Sequence, residues 1–327
     1  MAALVIGLIL NARDKKIHLS FPGTVGNSAG NLNNNGIFVE KDGVVYFSNP
    51  YDRGTIYTMS PDETHIQKFL DVPGRLLNVD DYYLYYFQTL ASGASGLGHM
   101  RQRSGICRYA LDGKRSDVLS YETCYDMQLT NNTLYYLVSD EKGPRFCKLR
   151  IDEKEPVVLA KEIINPSCVY NGRIYYNGNS NDHELYSLDP STDVVSSVWA
   201  GNVWDPIVMD NYVYYMDISN DYRLCRYDML QGVIEILTHD RVDFYNIGGG
   251  KIFYQKSSKT SPALIRMNLD GSEAETIAEG VFCDINMTSQ YVYYRPFGSE
   301  VPLYHVSING PAIPTTFDSA RSASIAK

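Results

Sequence analysis

An aliphatic–aromatic–aromatic triplet recurs along the chain at nearly constant spacing, and this repeat limits the choice of fold more than any other feature. Seven copies are present, and their middle residues are Tyr46, Tyr85, Tyr135, Tyr175, Tyr214, Phe253 and Tyr293. The spacings between them are 39, 50, 40, 39, 39 and 40 residues, so a unit of about 40 residues repeats with one insertion of about ten. A period of this size indicates a repeat architecture.

Each unit is predicted to contain four short antiparallel strands. A second strand follows each triplet, as at Ile56-Tyr57, and often ends at a pair such as Asp112-Gly113 or Asp270-Gly271. These residue types accept the positive φ of a hairpin turn. A third strand and a short strand before the triplet complete the unit, and the 3.6-residue period of helical repeats is absent. The sequence therefore predicts an all-β, seven-bladed β-propeller with four antiparallel strands per blade.

Tyrosine is unusually frequent, at 27 of 327 residues, and twelve of these tyrosines lie in the triplets. Both faces of an inner strand of a blade are buried against neighbouring blades, and consecutive residues of a strand point to opposite faces. A pair of tyrosines can therefore pack in both directions while each hydroxyl finds a partner at the blade edge. We interpret the excess of tyrosine as packing and not as a carbohydrate-stacking surface.

The repeat resembles those of known propeller families. Ile252-Phe253-Tyr254 followed by residues 264–272 (LIRMNLDGS) resembles the YWTD repeat of LDL-receptor-type propellers, and residues 46–59 are similar to TolB-type repeats. The YWTD tryptophan is Tyr or Phe in every copy, and both families have six blades, which makes six the alternative count. The whole chain most resembles bacterial envelope propeller domains of unknown function. This resemblance implies an extracytoplasmic location and supplies no catalytic residues.

The chain divides into four parts on this interpretation. Residues 36–318 form a single propeller of seven repeats, residues 17–35 an Asn/Gly-rich linker with a candidate edge strand, and residues 319–327 a flexible tail. Residues 1–16 contain an apolar run of nine, whereas a spanning helix needs about 20 apolar residues. We interpret them as a partial membrane anchor, with a frayed N-terminal segment as the alternative. The expected location is the cell surface, outside the cytoplasm and anchored to the membrane.

Polar residues recur near the start of the innermost strand of each repeat. Three acids stand nine residues before the middle aromatic of their repeat, namely Asp126, Asp205 and Asp284, and Asp243 stands ten before it. Four amides stand seven residues before the middle aromatic, namely Asn78, Gln128, Asn246 and Asn286. Because the innermost strands surround the central channel, these groups are predicted to meet at one mouth. There they could bind a polar ligand or a cation such as calcium, which prefers oxygen ligands. The alternative is that they cap strand starts through Asx-type hydrogen bonds.

The insertion at residues 89–104 is a second candidate site. It carries His99, Arg101 and Arg103 and no acid, in a chain whose net charge is −9. A basic loop on an acidic protein is a candidate partner contact, and a neutral insertion is the alternative. The net charge argues against a nucleic-acid partner, which would require a clustered basic face.

The six cysteines are dispersed and include no C-x-x-C pair, so neither a zinc site nor a disulfide scaffold is predicted. Cys107, Cys147 and Cys225 occupy the repeat position of Tyr57, and buried free thiols are expected there. No catalytic residue and no cofactor are predicted.

These features favour a monomeric, non-catalytic recognition module that binds a protein, a peptide or an envelope glycan outside the cytoplasm. The alternative is a propeller hydrolase or lyase that uses a metal or a carboxylate pair at the channel mouth. Asp126, Asp205 and Asp284 are the acids for such chemistry, because glycoside hydrolysis needs two carboxyl groups about 5 to 9.5 Å apart.

Overall fold

The computed structural model describes residues 16–89 and 104–325. Over these residues the chain forms five antiparallel β-sheets and two α-helices, α1 at Ala29–Asn33 and α2 at Asp318–Ile325. No helix within this part of the chain is long and apolar enough to cross a membrane. The all-β class predicted from the repeats is confirmed.

The first sheet has seven strands in chain order. They are β1 (Phe38–Lys41), β2 (Val44–Asn49), β3 (Thr55–Met59), β4 (Gln67–Val79), β5 (Tyr83–Gln88), β6 (Gly105–Ala110) and β7 (Ser116–Ser120). The long strand β4 pairs twice: residues 67–73 pair with β3, and residues 74–79 pair with β5.

Two four-stranded sheets follow. They consist of β8 (Cys124–Thr130), β9 (Thr133–Asp140), β10 (Gly143–Arg150) and β11 (Val157–Ala160), then β12 (Cys168–Tyr170), β13 (Arg173–Asn177), β14 (Leu185–Asp189) and β15 (Val194–Trp199).

The last two sheets have seven and four strands. The seven are β16 (Val203–Met209), β17 (Tyr212–Asp217), β18 (Arg223–Asp228), β19 (Val233–Gly248), β20 (Lys251–Ser257), β21 (Ala263–Asn268) and β22 (Glu275–Glu279). The four are β23 (Phe282–Met287), β24 (Tyr291–Pro296), β25 (Tyr304–Ser307) and β26 (Thr315–Thr316). Strand β19 pairs with β18 through residues 233–241 and with β20 through residues 241–248.

The sheets surround a common centre. Among the innermost strands, β1 lies beside β4, β4 beside β8, β12 beside β16, and β19 beside β23. Strand β23 also lies beside β1, so the last group of strands meets the first and closes the ring. Radial antiparallel sheets in a closed ring are the arrangement of a β-propeller.

The aromatic triplets lie in the second strand of each group and fill the space between groups. The middle residues Tyr85, Tyr214, Phe253 and Tyr293 are at most 1% exposed. The ring of Tyr293 in the last group stacks on Phe38 of the first, with 4.0 Å between centroids. The aromatic residues therefore pack the structure, as expected. The expectation that each hydroxyl finds a partner is wrong for Tyr136 and Tyr294, whose buried hydroxyls have no hydrogen-bond partner within the described residues.

Residues 17–35 are not the predicted linker and form no edge strand. They run along one face of the ring, pair with β8 through a single bridge from Val25 to Thr130, and then pass through the central channel as α1. This helix contacts β8, β12, β16, β19 and β23. The segment leaves the channel at Asn35, whose carbonyl accepts the N–H of Leu76 at 2.9 Å. We call residues 26–36 the channel segment.

Residues 318–325 are also more ordered than the sequence predicted. In place of a flexible tail from residue 319, α2 spans Asp318–Ile325 and packs against the first group of strands. Phe317 and Ala320 are fully buried, and the Asn49 side chain donates to the Ala320 carbonyl at 3.0 Å. Burial of these two residues fixes the helix on the body of the protein.

Candidate functional site

The innermost strands run in one direction, so the ring has two distinct faces. We call the face where these strands begin the strand-start face, and the opposite one the strand-end face. Residues 49, 73, 74 and 88 share the strand-start face, because the register pairs Asn49 with Thr55, Thr55 with Pro73 and Gly74 with Gln88. The predicted acids lie near the same face, and the predicted amides lie two residues deeper.

Three of the four predicted amides hold the channel segment. Asn246 donates to Asn31 Oδ1 at 2.9 Å, Gln128 donates to the Asn27 carbonyl at 3.0 Å, and Asn286 donates to the Asn34 carbonyl at 2.7 Å. All three are fully buried. The repeat has therefore placed side chains with both donors and acceptors around a polar segment of the same chain.

The fourth amide, Asn78, joins two innermost strands. It accepts the N–H of Leu129 at 2.9 Å and donates to the Met127 carbonyl at 3.1 Å. It is also fully buried. Within the described residues, the amide nitrogens of all four side chains bond to other parts of this chain and do not face solvent.

Two of the predicted acids sit where the backbone needs an unusual conformation. Asp205 and Asp284 have φ values of 50° and 55°, and Leu76 occupies the corresponding position with a φ of 54°. The pairing register shifts at this point in each case, which marks a β-bulge. Asp tolerates left-handed backbone better than most residues. The recurrence of aspartate at this repeat position is thus explained in part by local backbone geometry.

Asp284 is paired and buried. Its side chain forms an ion pair with Arg295 and accepts a hydrogen bond from Asn35 at 2.7 Å. Asp243 is half-buried and lies 3.6 Å from Arg241. Both carboxylates therefore have a neighbouring cation.

Asp126 lies within electrostatic range of Asp205 and of Arg75, and among the described residues neither Asp126 nor Asp205 forms an ion pair. Burial raises the pKa of each carboxyl to about 7, and the charge of Asp205 adds to the increase at Asp126. Asp126 accepts the backbone N–H of Met127 at 2.7 Å. Neither acid belongs to a group of three or more His, Cys, Asp or Glu residues that could hold a metal, and the described part of the chain contains no such group.

A cavity on the strand-start face was not predicted from the sequence. It has a volume of about 180 Å³ and lies where the first, second and last groups of strands meet. Its charged lining residues are Arg53, Arg75, Arg295, Asp284 and Glu300. The three arginines occupy different repeat positions, so registering the repeats gave no signal for them.

The predicted partner loop begins at the rim of this cavity. Thr89 lines the cavity, and its N–H donates to the Pro73 carbonyl at 3.1 Å. His99, Arg101 and Arg103 lie outside the described residues.

Comparison with known proteins identifies similar folds. No family model and no curated protein matches the sequence. Among solved structures, one of prolyl endopeptidases aligns with 94% of this chain at 11% identity and a TM-score of 0.60, and a puromycin-hydrolysing peptidase of Mycobacterium tuberculosis aligns with 91% at 10% identity and a TM-score of 0.58. TolB from Acinetobacter baumannii aligns with 70% of this chain and 61% of its own at 12% identity and a TM-score of 0.43. The chain spans about half the length of the two peptidase structures, at 51% and 56%.

Proposed function

We propose that this chain is a non-catalytic recognition module that binds a peptide, a protein or an envelope glycan on its strand-start face. The observation that carries the proposal is the cavity between Arg53, Arg75 and Arg295 on that face. Because the channel segment fills the centre of the ring, a ligand is bound on the face and not in the channel. The net charge of −9 favours such partners over a nucleic acid.

We further propose that the ring has seven blades. The pairing of β4 and β19 on both sides supports this count, because each of these strands supplies the outer strand of one group of four and the innermost strand of the next. Each seven-stranded sheet then corresponds to two blades, and the three four-stranded sheets supply the others. The seven triplets of the sequence agree with this division.

A location outside the cytoplasm, with attachment to a membrane through residues 1–16, is part of the proposal. The path of the following residues gives this attachment a direction. The backbone N–H of Ser20 donates to Asn132 Oδ1 at 2.7 Å, and the backbone N–H of Gly23 donates to Asn131 Oδ1 at 2.6 Å. Both asparagines follow directly after the end of β8. Residues 16–25 therefore lie at the strand-end face, and an anchor that precedes them would leave the strand-start face pointing away from the membrane. The module would act as a monomer.

A peptide is the ligand class we favour. The cavity is smaller than the 300–1,000 Å³ typical of small-molecule sites and can accept one residue of an extended chain.

A displayed library of random peptides provides the test. Peptides selected on the wild-type chain should change in affinity at least tenfold for Asp284→Asn, in which the Arg295 ion pair on the strand-start face is removed. They should bind normally to Lys41→Gln, a matched change of one charge on the strand-end face, where Lys41 pairs with Asp81 at 2.9 Å. If the selected peptides lost binding to Lys41→Gln and bound Asp284→Asn as they bind the wild type, the assignment of the ligand to the strand-start face would be wrong.

The second candidate is a hydrolase or lyase that uses Asp126 and Asp205 as acid and base, with a bound cation such as calcium as a variant. The specific observation in its favour is the raised pKa of both carboxyls, about 7, which suits general acid–base catalysis near neutral pH. Activity on a panel of glycoside and peptide substrates should then disappear in both Asp126→Asn and Asp205→Asn. Activity that persists in both variants would exclude this candidate.

A further inference from the structure

The cavity on the strand-start face carries more positive than negative side chains, although the chain as a whole is acidic. Three arginines line it against two carboxylates, Asp284 and Glu300. Arg295 is occupied by its ion pair with Asp284 and donates to the Ser299 carbonyl at 3.0 Å. Arg53 and Arg75 are the cations that remain available.

Arg75 is held in place without a carboxylate partner. It is half-buried, its guanidinium lies 5.2 Å from the centre of the Phe87 ring, and it donates to the Cys124 carbonyl at 3.0 Å and to Asn35 Oδ1 at 3.4 Å. A guanidinium has five N–H donors, so these two contacts leave donors for a ligand. Within residues 16–89 and 104–325, no carboxylate oxygen lies within 4.0 Å of it.

Arg53 is exposed and lies on the same cavity. It follows a short 3-10 turn, Pro50–Asp52, and adopts the left-handed conformation with a φ of 58°, which fixes the direction of its backbone. In the described part of the chain it forms no ion pair. Two guanidinium groups that form no ion pair among the described residues lie on one small cavity and favour an anion, and arginine binds carboxylates through paired N–H donors.

Apart from Ser48 and Thr89, the uncharged lining is apolar and narrows the choice of ligand. Ile37, Pro50, Pro73 and Leu303 form walls beside the charged groups. Asp284 and Glu300 would repel a dianion, whereas a single negative charge balances the excess of one arginine. We infer that this cavity binds the carboxylate of a peptide, with Arg75 and Arg53 contacting its oxygens and the apolar walls contacting the adjoining side chain. This inference rests on the proposed recognition function and specifies its ligand.

The experiment compares three probes by titration calorimetry on the full chain. N-acetyl-leucine carries a terminal carboxylate and an apolar side chain, N-acetyl-leucinamide lacks the carboxylate, and the α-amide of N-acetyl-glutamate carries the carboxylate on its side chain. We expect N-acetyl-leucine to bind at least tenfold more tightly than N-acetyl-leucinamide. If the glutamate derivative matches N-acetyl-leucine, the carboxylate is bound whether it is terminal or not; if it matches the amide, the site is specific for a chain end. Equal binding of N-acetyl-leucine and its amide would overturn the inference.

Variants identify the arginines. Arg75→Gln should weaken N-acetyl-leucine at least tenfold and leave the affinity for N-acetyl-leucinamide unchanged. Because Arg75 also binds the Cys124 carbonyl, Arg53→Gln is the second variant; the Arg53 side chain is exposed and forms no ion pair among the described residues. Arg53→Gln should weaken the binding of N-acetyl-leucine by a smaller factor and leave the binding of N-acetyl-leucinamide unchanged. Arg150→Gln, an exposed arginine paired with Asp152 elsewhere on the surface, is the control. Unchanged affinity for the acid in both cavity variants would overturn the inference. Library peptides whose affinity changes in Asp284→Asn but that bind equally well when amidated would refute the carboxylate and leave the recognition function standing.

Discussion

His305 of β25 and Glu63, in the turn between β3 and β4, connect the last group of strands to the first. Nδ1 of His305 lies 2.6 Å from Oε1 of Glu63, and both side chains are largely buried, at 14% and 11% exposure. The same carboxylate oxygen accepts the hydroxyl of Tyr293 at 2.8 Å. One carboxylate thus serves two donors at the point where the ring closes.

His305 occupies a repeat position that is basic in several other groups. It pairs with the middle aromatic Tyr293, as Arg226 pairs with Tyr214 and Arg266 with Phe253. Arg226 donates to the Leu269 carbonyl at 3.1 Å, and Arg266 donates to the Ile308 carbonyl at 3.0 Å, in each case across to the next group of strands. The contact at ring closure is therefore a histidine–carboxylate version of a contact that recurs around the ring.

Replacing Glu63 should destabilise the ring at its closure. Glu63→Gln retains the shape of the side chain but removes the charge that two donors share, and hydrogen bonds to charged groups contribute about 1.5–3 kcal/mol. We expect the free energy of unfolding in urea to fall by about that amount. Glu273→Gln is the control, because Glu273 is 75% exposed and 3.9 Å from Lys251, and it should change stability by less than about 0.5 kcal/mol. Equal midpoints for the two variants would contradict the role of Glu63.

Adding a methyl group at Gly30 should displace the channel segment. A Cβ atom there would lie 1.8 Å from Asn246 Oδ1 and 2.6 Å from Asn246 Cγ. Asn246 cannot move away without losing its bonds to Asn31 and to the Ile285 carbonyl. We expect Gly30→Ala to cost about 1–3 kcal/mol and to accelerate amide hydrogen exchange in residues 26–36.

The control for Gly30 is Gly43→Asn. A Cβ at Gly43 would meet no atom within 4 Å, and asparagine tolerates its left-handed φ of 76°. Exchange in residues 26–36 should stay at the wild-type rate in this variant. If Gly30→Ala exchanged as slowly as Gly43→Asn, the close packing of the channel segment would be refuted.

The sequence predicts the strands well because their buried positions recur with the period of the repeat. Tyr85 and Phe253 are buried by neighbouring groups, and the middle aromatic is buried in six of the seven triplets, Tyr175 being half-buried. The channel segment has no such pattern: its Asn and Gly residues are typical of loops, and they become buried only because the closed ring supplies backbone partners such as the Met287 carbonyl for Asn31, at 2.9 Å. The ring must exist before that segment has a binding place.

The candidate site was predictable only where it follows the repeat. Registering the triplets found Asp126 and Asp205, whose environment is set by equivalent positions on successive innermost strands. Arg75 and Arg295 were missed because they lie at different repeat positions and meet only where the first, second and last groups of strands come together. A site that depends on ring closure carries no periodic signal.

All six cysteines should be unreactive in the folded protein. The structure confirms that each is buried and outside any disulfide, as expected for Cys107, Cys147 and Cys225. Burial raises the pKa of Cys107 and Cys283 to about 11 and that of Cys168 to about 12, so thiolate is scarce at neutral pH. A thiol reagent such as dithionitrobenzoate at pH 7.5 should label none within minutes, and six after denaturation in guanidinium. Rapid labelling of the native chain would contradict this burial.

The carboxyl of Asp126 should make stability fall as the pH rises toward neutrality. Its pKa is about 7 in the folded state, mainly through burial, and about 3.9 when unfolded. Between about pH 4 and pH 7 the folded state therefore binds more protons than the unfolded state, so the free energy of unfolding decreases with pH in that window and is constant above it.

Asp126→Asn keeps a side-chain oxygen for the Met127 N–H. We expect the free energy of unfolding of this variant to exceed that of the wild type by about 1 kcal/mol or more at pH 8, which is a Tm difference of about 2–4 °C. At pH 5 the difference should be clearly smaller. Glu153→Gln, at an exposed carboxylate, should follow the wild-type curve. Parallel Tm curves for Asp126→Asn and the wild type from pH 5 to pH 8 would show that Asp126 ionises in the folded protein as freely as it does in the unfolded chain.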